Sequence, residues 1–233
     1  MSKVIVDYRI DNEEKNSLDA LGYDVLICPP SSILYDAVCG HPDMLLNIID
    51  LNTIIVHKDT EKKFVNNLCS YGYNVIFSNS ELEVSYPGDV ALNAVNMTNI
   101  FVHNLNHTDK ILLEAVNNKK LIHVKQGYTK CSTAIVSENA IMTSDTGICN
   151  ALKIEGFDVL FLPPGDIVLP GLNYGFIGGC CGLLEEGLLA FYGDLNCYAY
   201  GNEVLNFLNK HKVKPAFLRK GKLMDRGSIF AIG

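Results

Sequence analysis

Two stretches of the chain align without a gap. "DMLLNIIDLNTIIVH" (43–57) and "DVALNAVNMTNIFVH" (89–103) set Asp43 against Asp89, Asn47 against Asn93 and His57 against His103. A third, "CSTAIVSENAIMTSD" (131–145), has the same length and puts Cys131 opposite the two aspartates. In each, a turn-forming triplet (DLN, NMT or SEN) separates two runs rich in Val, Ile and Thr, the pattern of a β-hairpin. A recurring supersecondary unit must bury its apolar face against its own copies, so the repeat constrains the fold more than any other feature.

A second repeat lies downstream of the first. "LDALGYDVLICPP" (18–30), "LCSYGYNVIFSN" (68–79) and "CNALKIEGFDVLFLPPG" (149–165) each end a helix-like stretch with Gly-aromatic-Asp or Gly-aromatic-Asn and pass into an apolar strand. "LLEAVNNKKLIHVKQG" (112–127) and "LNFLNKHKVKPAFLRKG" (205–221) are weaker relatives, making five. Asp59-Thr60, Thr108-Asp109 and Asp145-Thr146 are expected to cap the helices. Each unit therefore reads ββαβ. The units span about 43–79, 89–127, 131–163 and 176–221, and one more, counted first, is split between 225–233 and 3–30. Joining the last strand to the first predicts one α/β domain over 1–233, a five-bladed propeller with fivefold pseudosymmetry and Gly233 close to Met1. Such closure leaves no open sheet edge. An ordinary doubly wound sheet is the alternative, but the second strand of each unit follows a tight turn that only an antiparallel pair can use. No GxGxxG or P-loop is present.

Composition narrows the function classes. Net charge is −7 and the pI about 5.3, which disfavours nucleic acid as a partner. The apolar runs reach about half the ~20 residues of a membrane helix, and "MSKVIVDYRIDNEEK" has no signal core. A soluble cytoplasmic protein is expected. The eight cysteines form no CxxC pair and read as reduced, mostly structural thiols; the histidines lack metal-ligand spacing, so no metal is expected.

Five ββαβ units with "Gly40-His41-Pro42-Asp43" and "Tyr128-Thr129-Lys130-Cys131-Ser132-Thr133" resemble the pentein superfamily, the guanidino-group-modifying enzymes of α/β-propeller fold. Its members include arginine and agmatine deiminases, dimethylarginine dimethylaminohydrolase, amidinotransferases and the non-enzymatic translation initiation factor 6. Within it, the wording is similar to a bacterial branch identified by its fold alone. The resemblance implies His41 as general acid/base, Asp43 as a guanidinium ligand and Cys131, two units later, as nucleophile. Asp225-Arg226-Gly227-Ser228 stands where the family has Glu-Gly-Gly, with a shorter acid. The unit after Cys131 reads Gly178-Gly179-Cys180-Cys181-Gly182, without the family's Arg-Asp pair.

The implied chemistry is attack of the Cys131 thiolate on an amidine-type or carbonyl carbon. His41 holds the thiolate as an ion pair, protonates the leaving group and then activates water. Lys130 would help if it points inward. Asp43, Asp225 and Asp89 are the candidate ligands of a small cationic substrate, and no cofactor is required. Other readings stay open at this point: Cys131 as a small residue at a strand start, His41 as a turn residue capping a strand, Asp225 as half of a surface ion pair with Arg226, Asp89 as a turn residue, Asn47 and Asn93 hydrogen-bonding locally, and the whole chain as a non-catalytic pentein that binds a macromolecule or senses a small molecule. The oligomeric state is open.

Overall fold

A computed structural model describes residues 2–233. Five three-stranded sheets form among them, all with one internal order. In the second unit β3 (Leu46–Ile48) pairs antiparallel with β4 (Thr53–Val56), α3 (Lys62–Ser70) crosses over, and β5 (Asn74–Phe77) joins β4 in parallel. The third unit repeats this with β6 (Val95–Asn96), β7 (Ile100–His103), α4 (Lys110–Ala115) and β8 (Lys120–His123). The fourth does so with β9 (Thr133–Ser137), β10 (Ala140–Thr143), α5 (Thr146–Ile154) and β11 (Asp158–Phe161). The fifth has β12 (Cys181–Glu185), β13 (Leu188–Phe191), α6 (Gly201–Lys210) and β14 (Lys214–Phe217).

The split unit is assembled from both ends of the chain. β15 (Phe230–Ile232) runs antiparallel to β1 (Lys3–Asp7), with Lys3 opposite Ile232. α1 (Asn12–Ala20) then leads to β2 (Asp24–Cys28), parallel to β1. The expectation for Met1 itself lies outside the described residues.

The burial of the strands follows their apolar content. Central strands carry unbroken apolar runs, Val4-Ile5-Val6 in β1 and Ile54-Ile55-Val56 in β4, and these runs are fully buried. Outer strands such as β5 and β14 are half-exposed, and β14 tolerates Pro215 because it is an edge. The first strands of the five sheets meet at one cavity: Ile48, Asn96, Ile135, Leu183 and Ala231, one from each sheet, line a space of about 170 Å³. The same five line a wider one of about 1010 Å³ beyond it.

The Gly-aromatic repeat has a local cause. Gly22 sits at φ +89° after α1 and donates to the carbonyl of Asp19, while Tyr23 donates back to Leu18. That pair of bonds closes a helix end in the left-handed region and releases the chain as a strand. Gly72 and Gly156 repeat it after α3 and α5. Asp109 and Asp145 cap α4 and α5 as expected. Asp59 does not cap α3, whose N-cap is Glu61; its carboxylate lies 3.5 Å from His57 Nδ1 instead. No described helix is long and apolar enough to cross a membrane.

Candidate active site

The residues singled out at the unit starts lie in turns just before the inner strands. His41 is the N-cap of a one-turn helix, α2 (Pro42–Leu45), with Pro42 in the first turn where its missing N–H costs nothing. Cys131 lies in the turn that enters β9, where Ser132 N donates to Tyr128 O and Thr133 N to Lys130 O. Asp225 follows a backbone bond from its own N–H to Val168.

These three converge. His41, Cys131 and Asp225 line one cavity of about 260 Å³, walled by Tyr35, Tyr128, Phe176 and Tyr174 with Leu169, Leu172 and other apolar side chains. Its upper wall comes from the 28–42 and 163–178 connections. His41 is 1% and Cys131 4% exposed. Nδ1 of His41 lies 3.8 Å from Asp225 Oδ1, and Nε2 lies 4.0 Å from Asp7 Oδ2. Both separations are too long for hydrogen bonds but within ion-pair reach. Asp225 is held by backbone amides, Phe176 N to Oδ2 at 2.8 Å and Gly227 N to Oδ1 at 3.0 Å. Gly227 (φ +67°) presses its backbone on the imidazole; a Cβ there would stand 2.2 Å from His41 Cβ.

Asn93 holds the thiol. Its Nδ2 donates to Cys131 Sγ at 3.0 Å and to the carbonyl of Asp43 at 3.0 Å, while Oδ1 accepts from the amides of Lys130 (2.8 Å) and Cys131 (3.2 Å). The expectation of local bonding is overturned for both asparagines, since Asn47 Nδ2 also reaches across, to Leu92 O and Ala94 O. Asn47 lies in an inner strand and Asn93 just before one, and each reaches into a neighbouring unit 37 to 50 residues away in the chain.

The other expected ligands sit behind the wall. Asp43 is buried beside Cys131, with Oδ2 2.8 Å from Ser228 Oγ. Lys130 Nζ donates to that hydroxyl at 2.8 Å and faces the 170 Å³ axial cavity, so it does not point at the thiol. Asp89 accepts from the Tyr128 hydroxyl at 2.6 Å, one side chain away from the cavity. Arg226 does not pair with Asp225; its Nε donates to Glu14 at 2.9 Å. Asp7, which the sequence reading did not single out, is buried, faces His41 and binds Arg9, whose Nε donates to Oδ1 at 2.9 Å. A carboxylate closing the apolar run of β1 was the available signal. Cys180 and Cys181 are free thiols that both point at Ile177 O. Among the described residues no group of three or more His, Cys, Asp or Glu is placed to hold a metal ion.

Burial sets the protonation states. Burial, then the carboxylates of Asp43 and Asp225, push the Cys131 thiol well above its usual range, against the pull of Asn93. Burial lowers His41, opposed by Asp225 and Asp7. Asp225 and Asp43 are both raised by burial, opposed by His41 and Lys130 respectively. Both directions favour a neutral thiol and a neutral imidazole over an ion pair.

The family model described as "Family of unknown function (DUF6873)" matches residues 5–230. No curated protein matches the sequence. Among solved structures, inosamine-phosphate amidinotransferase StrB1 from Streptomyces griseus superposes with a TM-score of 0.60 at 13% identity, over 94% of this chain and 88% of that one. SxtG, an amidinotransferase from Microseira wollei in the saxitoxin biosynthetic pathway, gives 0.59 at 12%, over 93% and 88%. The dimethylarginine dimethylaminohydrolase of Pseudomonas aeruginosa, complexed with citrulline, gives 0.54 at 8%, over 93% and 92%. The fold is that of the pentein superfamily.

Proposed function

The chain belongs to the DUF6873 family, and we propose that it is a cysteine-dependent hydrolase or transferase of the guanidino-group-modifying type, with Cys131 as nucleophile and His41 as acid/base. The observation that carries this reading is one cavity lined by a histidine, a cysteine and an aspartate drawn from three units of the repeat. Its similarity to solved amidinotransferases and dimethylarginine dimethylaminohydrolase agrees with it. The five units are read as a closed five-bladed propeller over 1–233, supported by the five inner strands around one axial cavity and by the β15–β1 pair. Eight free cysteines suit a reducing, cytoplasmic setting.

The reaction starts from the neutral pair. A guanidinium or amidinium binds with its charge toward Asp225, which favours the thiolate by opposite charge. The Cys131 proton passes to His41 while Sγ bonds to the central carbon. His41 returns that proton to the departing nitrogen, the C–N bond breaks, and ammonia or an amine leaves. Water, deprotonated by His41, then attacks the thioether-linked carbon. The C–S bond breaks, releasing a urea or amide and restoring the thiol. In a transferase an amine replaces the water. Asn93 donates to Sγ when it carries charge, and Asp225 keeps the imidazole in place.

A second reading, a non-catalytic pentein-fold binding protein, draws on the fifth unit, where Gly178–Gly182 brings no acid to the site, and on the raised thiol. Ammonia release from simple guanidines, with intact-mass detection of a Cys131 adduct in the wild type, Cys131→Ala and His41→Ala, separates the two. Turnover lost in both variants, with the adduct absent from Cys131→Ala, is expected. Ligand binding with no adduct and no release in the wild type would leave only the second reading.

A further inference from the structure

Resting on the reading of this cavity as a substrate site, we propose that its substrate is a monocation: a guanidine or amidine whose remaining body is uncharged and apolar. The argument is one of missing partners. No Arg or Lys lines the cavity. Arg9 is spent on Asp7 and the carbonyls of Asp36 and Ala37, Arg226 on Glu14, and Lys130 on Ser228 behind the wall. Lys222, on the outer face of the 163–178 connection, pairs with Asp166 at 2.6 Å. A substrate carboxylate would find no cation there, only the neutral Asn173 amide and tyrosine hydroxyls.

A second positive charge fares no better. Asp225 is the one acid in the lining, and it is the partner of the reacting group. Asp89 is already bound by Tyr128 and Asp43 lies against Ser228. A charge taken from water without a partner costs more than an apolar contact returns.

What the walls do offer is aromatic surface. Tyr128 and Phe176 are stacked with centroids 6.4 Å apart, and Tyr174 meets Phe176 edge-on at 6.4 Å. Planar cations favour such faces, and Leu169 and Leu172 complete an apolar exit for a short tail. At about 260 Å³ the cavity has room for a compact ligand such as a C4 alkylguanidine or a benzamidine.

Three guanidines with matched chains test this: n-butylguanidine, 4-guanidinobutanoate and agmatine. Their binding to Cys131→Ser is measured by calorimetry and their turnover by the wild type through ammonia release. Butylguanidine is expected to bind about tenfold tighter than either charged analogue. Equal or tighter binding of 4-guanidinobutanoate or agmatine overturns the proposal, as does failure of butylguanidine to bind. Butylguanidine bound but never turned over removes the hydrolase reading and leaves the monocation standing. Turnover of agmatine in preference to butylguanidine does the reverse. Leu172 is 48% exposed at the rim, so Leu172→Arg and Leu172→Glu should fold normally. They should raise binding of 4-guanidinobutanoate and agmatine respectively; no gain in either overturns the apolar placement of the tail.

Discussion

Asn93 donates from Nδ2 to Sγ of Cys131 at 3.0 Å. The same nitrogen bonds the Asp43 carbonyl, two residues past His41, so one amide ties the His41 segment to Cys131. Asn93→Ala should raise the pH midpoint for Cys131 alkylation and slow turnover by roughly a hundredfold, the scale of one lost donor to a developing charge. A pH–rate series on both proteins checks this; an unmoved midpoint would show that the amide positions loops only.

The thiol itself gives the second prediction. Cys69 and Cys197 are exposed and should alkylate first, so modification must be followed at Cys131 by peptide mass. In the free protein Cys131 should react slowly at neutral pH, with a midpoint above 9.0. A bound cation should lower that midpoint. Rapid modification of free Cys131 at pH 7 contradicts the assignment of a neutral, desolvated thiol.

Asp225→Asn removes a carboxylate that holds the His41 imidazole up. The His41 midpoint should fall further below 6.5, and turnover should drop about a thousandfold, as when an imidazole loses its orienting acid. Imidazole proton shifts against pH read the first effect and steady-state rates the second.

Gly227→Ala meets both a left-handed φ and the side chain of His41. A loss of about 1–3 kcal/mol in urea unfolding is expected. Gly22→Ala, also left-handed but with open space around it, should cost only the backbone strain, about 1 kcal/mol. Equal effects would mean that the contact with His41 is not tight.

His103 supplies a pH dependence remote from the cavity. It is fully buried between Thr108 (2.7 Å) and Gly127 O (2.9 Å), and burial lowers it from 6.5 to about 4. The unfolded chain binds this proton first. Its contribution is therefore complete above pH 6.5 and is lost as pH falls toward 4, on the order of 3 kcal/mol in all. His103→Gln should flatten the slope of unfolding free energy across that window.

The repeat was legible because each unit obeys the same local rules. Gly22, Gly72 and Gly156 end helices, Asp109 and Asp145 begin them, and the central strands are unbroken apolar runs. His41 and Cys131 stood out through the motifs that resemble the pentein enzymes. What the sequence could not show was which way a side chain at a unit start faces. Asp43, Asp89 and Cys131 occupy equivalent places, yet only the thiol enters the cavity, because Ser228 and Tyr128 draw the two acids aside. Asp7 and Asn93 escaped for a related reason. Their partners lie in other units, and a strand pattern records its own face but not its neighbour's.

Lys130 and Cys131 are consecutive, yet the ammonium looks into the axial cavity while the sulfur looks into the aromatic one. A single peptide link thus serves as the partition between two compartments. In the proposed reaction the sulfur is reached past the exposed Leu172 and Tyr174, and a departing amine retraces the route by which its parent arrived. Release can then set the pace of turnover, governed by how often two surface connections part rather than by bond breaking.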